Sequence, residues 1–328
     1  MIKTDNLTKY YGDFCALKDL SISIDKGRIF GYIGPNGAGK TTTIRILAAL
    51  MKPSSGRAWI GDVEVSNDAR AAKDLVGYLP DFFGVYEGMR VREYLDFFGA
   101  AFKIPRGERQ KRISRVLDIT GSTYMEDMFV EALSRGMKQR VGIARTLLHD
   151  PEVLLLDEPL SGLDPNARIE MKELLRRLGK LGKTILVSSH ILPELASICD
   201  VVGILDHGEI HAFGPVDELM DGIREDRLVE LTVLDDAREA ARVLEKASEK
   251  APISNIEIDG RTVRFTWGAS EKQLSKLLSY LLQKDLRVHT FREVPISLEE
   301  AFIELTGNVP DEEQPKPEAV AERKLERC

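Results

Sequence analysis

Cysteine is scarce. The 328-residue chain has three, Cys15, Cys199 and Cys328, far apart in sequence. They form no C-x-x-C pair and no even-numbered set, which excludes a disulfide framework and points to reduced thiols in a cytosolic protein. Long apolar runs are missing as well. No stretch approaches the ~18 uncharged apolar residues of a membrane helix. The opening MIKTDNLTKYYGD lacks the apolar core of a signal peptide. A membrane role is therefore expected to run through a partner. Basic excess is absent too: 46 Lys and Arg stand against 53 Asp and Glu, the wrong balance for a dedicated nucleic-acid binder, and no nucleic-acid partner is expected. What is present is 43% hydrophobic and 30% charged residues, enough for a core and too apolar for a disordered chain. At this length two domains are expected.

One composition break falls between Gly222 and Arg227. Before it, apolar β-rich runs alternate with helical patterns, the rhythm of a sheet with crossover helices. Strands are expected at Arg28–Ile33, Val76–Leu79, Val153–Leu156 and Thr184–Ser188. Helices are expected at Lys40–Met51, Val91–Lys103, Lys138–His149 and Asn166–Leu181. Val201–Leu205 and Ile210–Phe213 flank a hairpin turn at Asp206-His207-Gly208-Glu209. His207 and His211 lie in that hairpin without a further Cys or His, so they are not read as a metal pair. After the break the order is β-α-β-β-α-β, a ferredoxin-like α+β unit. Its strands are Leu228–Leu234, Ser254–Ile258, Thr262–Trp267 and Leu286–Glu293, with a hairpin turn at Asp259-Gly260. Ala237, Ala240, Ala241 and Leu244 mark one helix, and Leu274, Leu277, Leu278 and Leu281 the other. A short helix, Ser297–Leu305, and a tail rich in Pro and charge follow. The expected domains are residues 1–222 and 227–308, with a disordered tail at 309–328.

Gly34-Pro35-Asn36-Gly37-Ala38-Gly39-Lys40-Thr41-Thr42 fits G-x-x-x-x-G-K-[ST], after a strand and at the start of a helix. Such a turn aims backbone N–H groups at phosphate oxygens, and the helix N-terminus adds partial positive charge. Lys40 is placed to reach the terminal phosphates of ATP, and the Thr41 hydroxyl to ligate Mg²⁺. Val153–Leu156 is an apolar run that ends in Asp157 and Glu158. A buried strand delivers its C-terminal end to the ligand crevice. There Asp157 can hold Mg²⁺ through water, and Glu158 can polarise an attacking water.

Between these motifs stands Leu133-Ser134-Arg135-Gly136-Met137, and the chain here resembles the nucleotide-binding subunit of an ABC transporter, whose signature loop reads LSGGQ. Further matches are Ser161-Gly162-Leu163-Asp164 to the D-loop, His190 to the switch histidine, and Tyr11 to the aromatic residue that stacks on adenine. The resemblance spans about residues 1–220. It implies an α/β P-loop ATPase domain with a helical subdomain. It also implies that Ser134, Gly136 and Asp164 face the nucleotide of a second subunit, so that a head-to-tail homodimer encloses two ATP. Pro295-Ile296-Ser297-Leu298-Glu299-Glu300-Ala301-Phe302 resembles the C-terminal extension of drug- and polysaccharide-exporter ATPases. An ATP-hydrolysing exporter subunit is then implied, with Lys40, Glu158 and His190 catalytic. It would sit at the cytoplasmic face of the membrane through a membrane-spanning permease.

This chain departs from the family at three positions. The family's glutamine after the strand Val76–Leu79 is Asp81 here. A carboxylate can still bind Mg²⁺ or water, but it adds negative charge beside a polyphosphate. In the signature, Arg135 replaces Gly and Met137 replaces Gln. Gln could cap Ser134 reciprocally and Met cannot. Arg135 either adds positive charge near the γ-phosphate or faces solvent. Seven aromatics, Phe82, Phe83, Tyr86, Tyr94, Phe97, Phe98 and Phe102, crowd one short segment. Part of them reads as subdomain core, and part as a groove for a short helix of the membrane subunit. The alternative function is a soluble ABC ATPase without transport. Translation-type members carry two cradles and repair-type members a long coiled coil before the signature, and this chain has one cradle and no heptad array.

Overall fold

The computed structural model describes residues 1–82, 84, 86, 88–191, 194–195, 197–216, 227–248, 251–269 and 271–294. The expected helix Ser297–Leu305 and the tail lie outside them, as does all of the Gly222–Arg227 break except Arg227.

A six-stranded sheet organises the first part. Its strands are β4 (Ile29–Ile33), β7 (Val76–Leu79), β8 (Val153–Leu156), β9 (Thr184–Ser189), β10 (Val201–Asp206) and β11 (Glu209–Pro215), in the order β11-β10-β4-β9-β8-β7. Neighbours from β10 to β7 are parallel, and β11 is antiparallel. Alternation assigns side chains to the two faces. Leu154 and Leu156 pack with Tyr94, Leu117, Ile143 and Leu174. Val153 and Leu155 pack with Ile44, Leu47, Ile2 and Ile60. The first face is covered by α3 (Val91–Ala101), α4 (Arg106–Ile119), α5 (Arg135–Leu147) and α6 (Pro165–Lys180), and the second by α1 (Lys40–Leu47) with α2 (Ala69–Leu75).

A smaller antiparallel sheet also lies on the second face: β1 (Ile2–Tyr11), β2 (Phe14–Leu20), β3 (Ser23–Ile24), β5 (Ser55–Ile60) and β6 (Val63–Glu64). The sequence pattern did not single out these strands. Register shifts at Leu7/Lys9 and Asp5/Thr8 explain why, since a bulge breaks the period-2 alternation.

Several boundaries move. α1 ends at Leu47 rather than Met51, because Ala49 adopts φ 55° and the Ala49 and Leu50 amides turn back to Ile46 and Arg45. This is a Schellman stop with alanine where glycine is usual. α5 starts at Arg135 rather than Lys138, because Ser134 caps it. The turn at His207-Gly208 has φ 46° and 81°, as a tight hairpin requires.

The last described part is β12 (Arg227–Val233), α7 (Ala237–Ser248), β13 (Ile253–Asp259), β14 (Thr262–Trp267), α8 (Glu271–Gln283) and β15 (Val288–Glu293). Its antiparallel sheet runs β13-β14-β12-β15, the ferredoxin-like order expected of βαββαβ. Asp259 pairs with Thr262, so the hairpin turn is Gly260-Arg261, one residue later than expected. Both helices face a core of Val229, Leu231, Phe265 and Trp267.

Candidate functional site

The C-terminal ends of β4, β8 and β9 meet at one edge. β4 runs into the Gly34–Gly39 turn. Gly39, the N-cap of α1, has φ 108°, a conformation that glycine adopts without strain, and no side chain caps the helix. The first-turn amides of α1 therefore keep their donors for an anion. The turn is braced from behind: Gly208 donates to the Ala38 carbonyl, and Gly34 to the Ser189 carbonyl. Asn36 and Gly37 are exposed, and Pro35, Thr41 and Thr42 are half-buried.

Lys40 is 6% exposed. Its ammonium donates to the Gly34 and Pro35 carbonyls at 2.6 and 3.1 Å and lies 3.4 Å from Glu158 Oε1. Burial pushes the ammonium below its ordinary pKa, against the pull of Glu158. Glu158 follows β8 with φ 49°, a left-handed conformation uncommon outside glycine. Its other oxygen lies 3.0 Å from His190 Nδ1, at the end of β9. Burial pushes the Glu158 carboxyl up, but the His190 hydrogen bond and the Lys40 charge outweigh it, and the group lies below the usual glutamate range. The hydrogen bond to Glu158 holds His190 above its ordinary value. Lys40, Glu158 and His190 thus form one chain of contacts.

Asp157 is 2% exposed and raised by burial. The Ser188 hydroxyl donates to it at 2.8 Å, and the nearby Thr41 hydroxyl acts with Ser188 against the rise. Thr41 and Asp157 offer hard oxygens beside the cradle, which fits Mg²⁺. That ion takes one or two protein oxygens and completes its shell with phosphate and water. Ser188 was not anticipated. It donates to Asp157 and accepts from the Glu158 amide at 2.9 Å, so one hydroxyl fixes both carboxylate residues. Its signal in the sequence was its position at the C-terminal end of a buried strand, two residues before His190.

The remaining candidates stand around this centre. Ser134 caps α5 by accepting from the Met137 amide at 3.3 Å. Gly136 is buried, and a Cβ there would lie 2.8 Å from Ala167 Cβ, so its small size lets α5 approach α6. Asp164 caps α6 through the Ala167 amide at 3.0 Å. Tyr11 is exposed, with Lys9 Nζ 5.5 Å from its ring centroid and its hydroxyl 3.0 Å from Met51 Sδ. Asp81 is half-exposed and pairs with Arg135 at 3.7 Å. Arg135 is itself half-exposed, with the Asp81 carboxylate beside it. Among the aromatics, Tyr94 is fully buried, while Phe82, Tyr86, Phe97 and Phe102 are exposed. Phe83 lies outside the described residues.

Comparison with known proteins places the chain in a family. Residues 17–161 match the family model described as ABC transporter, and residues 214–306 match the C-terminal domain of DrrA1-3-like ATP-binding proteins. The linearmycin resistance ATP-binding protein LnrL of Bacillus subtilis is 32% identical over 94% of this chain and 98% of its own length. A Nod factor export ATP-binding protein I of Ralstonia nicotianae is 34% identical over 94% of each chain. Among solved structures, a dimeric ATP-binding cassette in a post-hydrolysis state bound to ADP and Pi superposes with TM-score 0.59 at 26% identity, covering 66% of this chain and 99% of that one. The chain belongs to the ATP-binding proteins of ABC transporters, a family of ATPases. Among the described residues no helix is long and apolar enough to cross a membrane.

Proposed function

We propose that the chain is the ATP-hydrolysing subunit of an exporter, working as a homodimer on a separate membrane-spanning permease at the cytoplasmic face of the membrane. The observation that carries the reading is Glu158, held ionised between Lys40 and His190 at the mouth of the cradle. Lys40 and the open α1 amides bind and orient the terminal phosphates. Glu158 accepts the proton of the attacking water at a carboxylate oxygen, and His190 aligns that carboxylate through Nδ1. Mg²⁺ would be held by Thr41 and Asp157 and would neutralise charge on the phosphate oxygens. Asp81 is assigned to the same metal. Tyr11 is assigned to adenine, and Ser134, Gly136 and Asp164 to the nucleotide of the second subunit.

The printed roles of the relatives, linearmycin resistance and Nod factor export, favour export. The exposed rings of Phe82, Tyr86 and Phe97 suit docking of a permease segment. The test is equilibrium binding of a labelled ATP analogue. The unmodified chain should bind it and Lys40→Ala should not, and equal affinity in the two would remove Lys40 from the cradle. Gel filtration of Glu158→Gln with ATP should show a dimer, and a monomer there would count against the paired site.

A further inference from the structure

Two of the chain's departures from its family lie against each other. Arg135 opens the signature helix α5, and Asp81 follows β7, far away in sequence. Their side chains meet, with Nη2 3.7 Å from Oδ1. The same guanidinium lies against a third loop. A Cβ on Gly162, which has φ 64°, would stand 2.5 Å from Arg135 Nη1 and 2.7 Å from Cζ. The guanidinium thus occupies the space that a side chain at Gly162 would take. An arginine suits this place better than a lysine, because its broad planar fork can fill the space beside Gly162 while one of its nitrogens reaches a carboxylate.

We propose that Arg135 is a positioning residue. It ties the signature turn to Asp81 and to the Gly162 backbone, and it supplies the positive charge that lets a carboxylate stand where the family has a neutral side chain. The inference rests on the nucleotide site described above and deepens it. Asp81 brings a negative charge to the phosphate side of the cassette, and such a charge disfavours ATP unless a cation opposes it. Arg135 opposes it from within the same chain. Because Asp81 and Arg135 are each 53% exposed, the expected effects are modest, roughly two- to fivefold.

The test compares four variants of the full chain: Asp81→Asn, Arg135→Gln, the two combined, and Arg135→Lys. The first readout needs no nucleotide. Amide exchange at Gly162 and Leu163 should quicken about threefold in Arg135→Gln and also in Asp81→Asn, because each releases the guanidinium. The combined variant should add nothing further, and Arg135→Lys should behave like Arg135→Gln, having no guanidinium to fill the space beside Gly162. Exchange at Gly162 unmoved by Asp81→Asn would overturn the bridge.

The second readout is ATP-analogue binding at low Mg²⁺. Arg135→Gln should weaken it about threefold, Arg135→Lys should keep it, and in the Asp81→Asn background Arg135→Gln should change nothing. An equal loss in both backgrounds would mean that Arg135 acts on the nucleotide directly, and the pairing role would fall. An unmodified chain that binds no ATP would overturn the proposed function instead, and the exchange readout would still decide the bridge.

Discussion

The cassette and the ferredoxin-like unit bury different things. Among the described residues, the cassette interior holds Lys40, Asp157, Glu194 and Asp206, with hydroxyls such as Thr43 and Ser188 between them. The four-stranded unit buries Val229, Leu231, Phe265 and their neighbours, and among its described residues the one buried polar side chain is Thr266. Its charges lie outside. Arg264 and Arg292 both donate to Glu230 on the open side of the sheet, and Arg287 pairs with Asp235. Taking a charge out of water costs several kcal/mol even when it is paired. A fold accepts that cost where the charge acts on a ligand, and avoids it where the task is packing. Substitutions in the two regions should therefore fail differently: in the cassette mainly by loss of rate, in the small unit mainly by loss of fold.

The largest difference should come from Glu158→Gln. The amide is nearly isosteric, so the cassette should stay folded and keep ATP binding while turnover falls ~10²–10⁴-fold, the usual cost of losing a general base. Steady-state hydrolysis and equilibrium binding check the two halves of that statement. Turnover near the unmodified level would assign the base elsewhere and blur the contrast between the regions.

Phe265→Ala is the counterpart. Phe265 is fully buried, and truncation of such a ring costs about 3–5 kcal/mol. The two tryptophans report on the regions separately, Trp59 on β5 and Trp267 on β14. Denaturant unfolding followed at Trp267 should shift to much lower midpoint, while the transition seen at Trp59 and the hydrolysis rate hold. A loss of hydrolysis equal to that of Glu158→Gln would show that the small unit belongs to the catalytic fold.

The two regions also differed in how far the sequence revealed them. Gly34–Thr42 was legible because its chemistry is contiguous, with glycines, lysine and threonine set by one turn. Asp157 and Glu158 were legible because an apolar strand must end somewhere polar. The alanine and leucine stripes of α7 and α8 were visible for the same local reason. Ser188 was not, since its place at the end of a buried strand was its one signal, and its role shows only once Asp157 stands 2.8 Å away. The Arg135–Asp81 contact was equally hidden, because it joins two loops through the fold. β1 was masked by its own bulges, and α4, charged along most of its length, shows too weak an apolar stripe to announce itself. Ser134 and Asp164 read as ligand residues, and the structure adds a capping duty that each performs whatever else it binds.

The smallest expected effect, and the sharpest test of the comparison, is the pH dependence of stability. His149 lies between α5 and β8. Nε2 is 3.0 Å from the Val76 carbonyl, and the ring stacks on Phe102 with centroids 4.3 Å apart. A carbonyl only accepts, so Nε2 carries the hydrogen. Nδ1 is buried with no hydrogen-bond partner among the described residues, and a proton added there would find no acceptor. Burial pushes His149 below its ordinary pKa, and Lys183 adds to that, while the Val76 carbonyl, Asp74 and Asp150 oppose it. The unfolded chain then binds more protons than the folded one as pH falls from about 6.5, so stability is lost over that range and is whole above it. His190 has the opposite sign. Raised by Glu158, it contributes fully below about pH 6.5 and loses that contribution as pH rises through its folded value. Comparing His149→Gln with its parent isolates the first residue. In a Trp267→Phe background, where Trp59 reports on the cassette, the parent should be less stable at about pH 5.5 than at about pH 7.5, and His149→Gln should lose part of that difference. In a Trp59→Phe background the small unit should show no dependence on residue 149, since His149 packs against Val76 and Phe102 of the cassette. A Trp267 transition that follows the His149 substitution would mean that the two regions unfold as one.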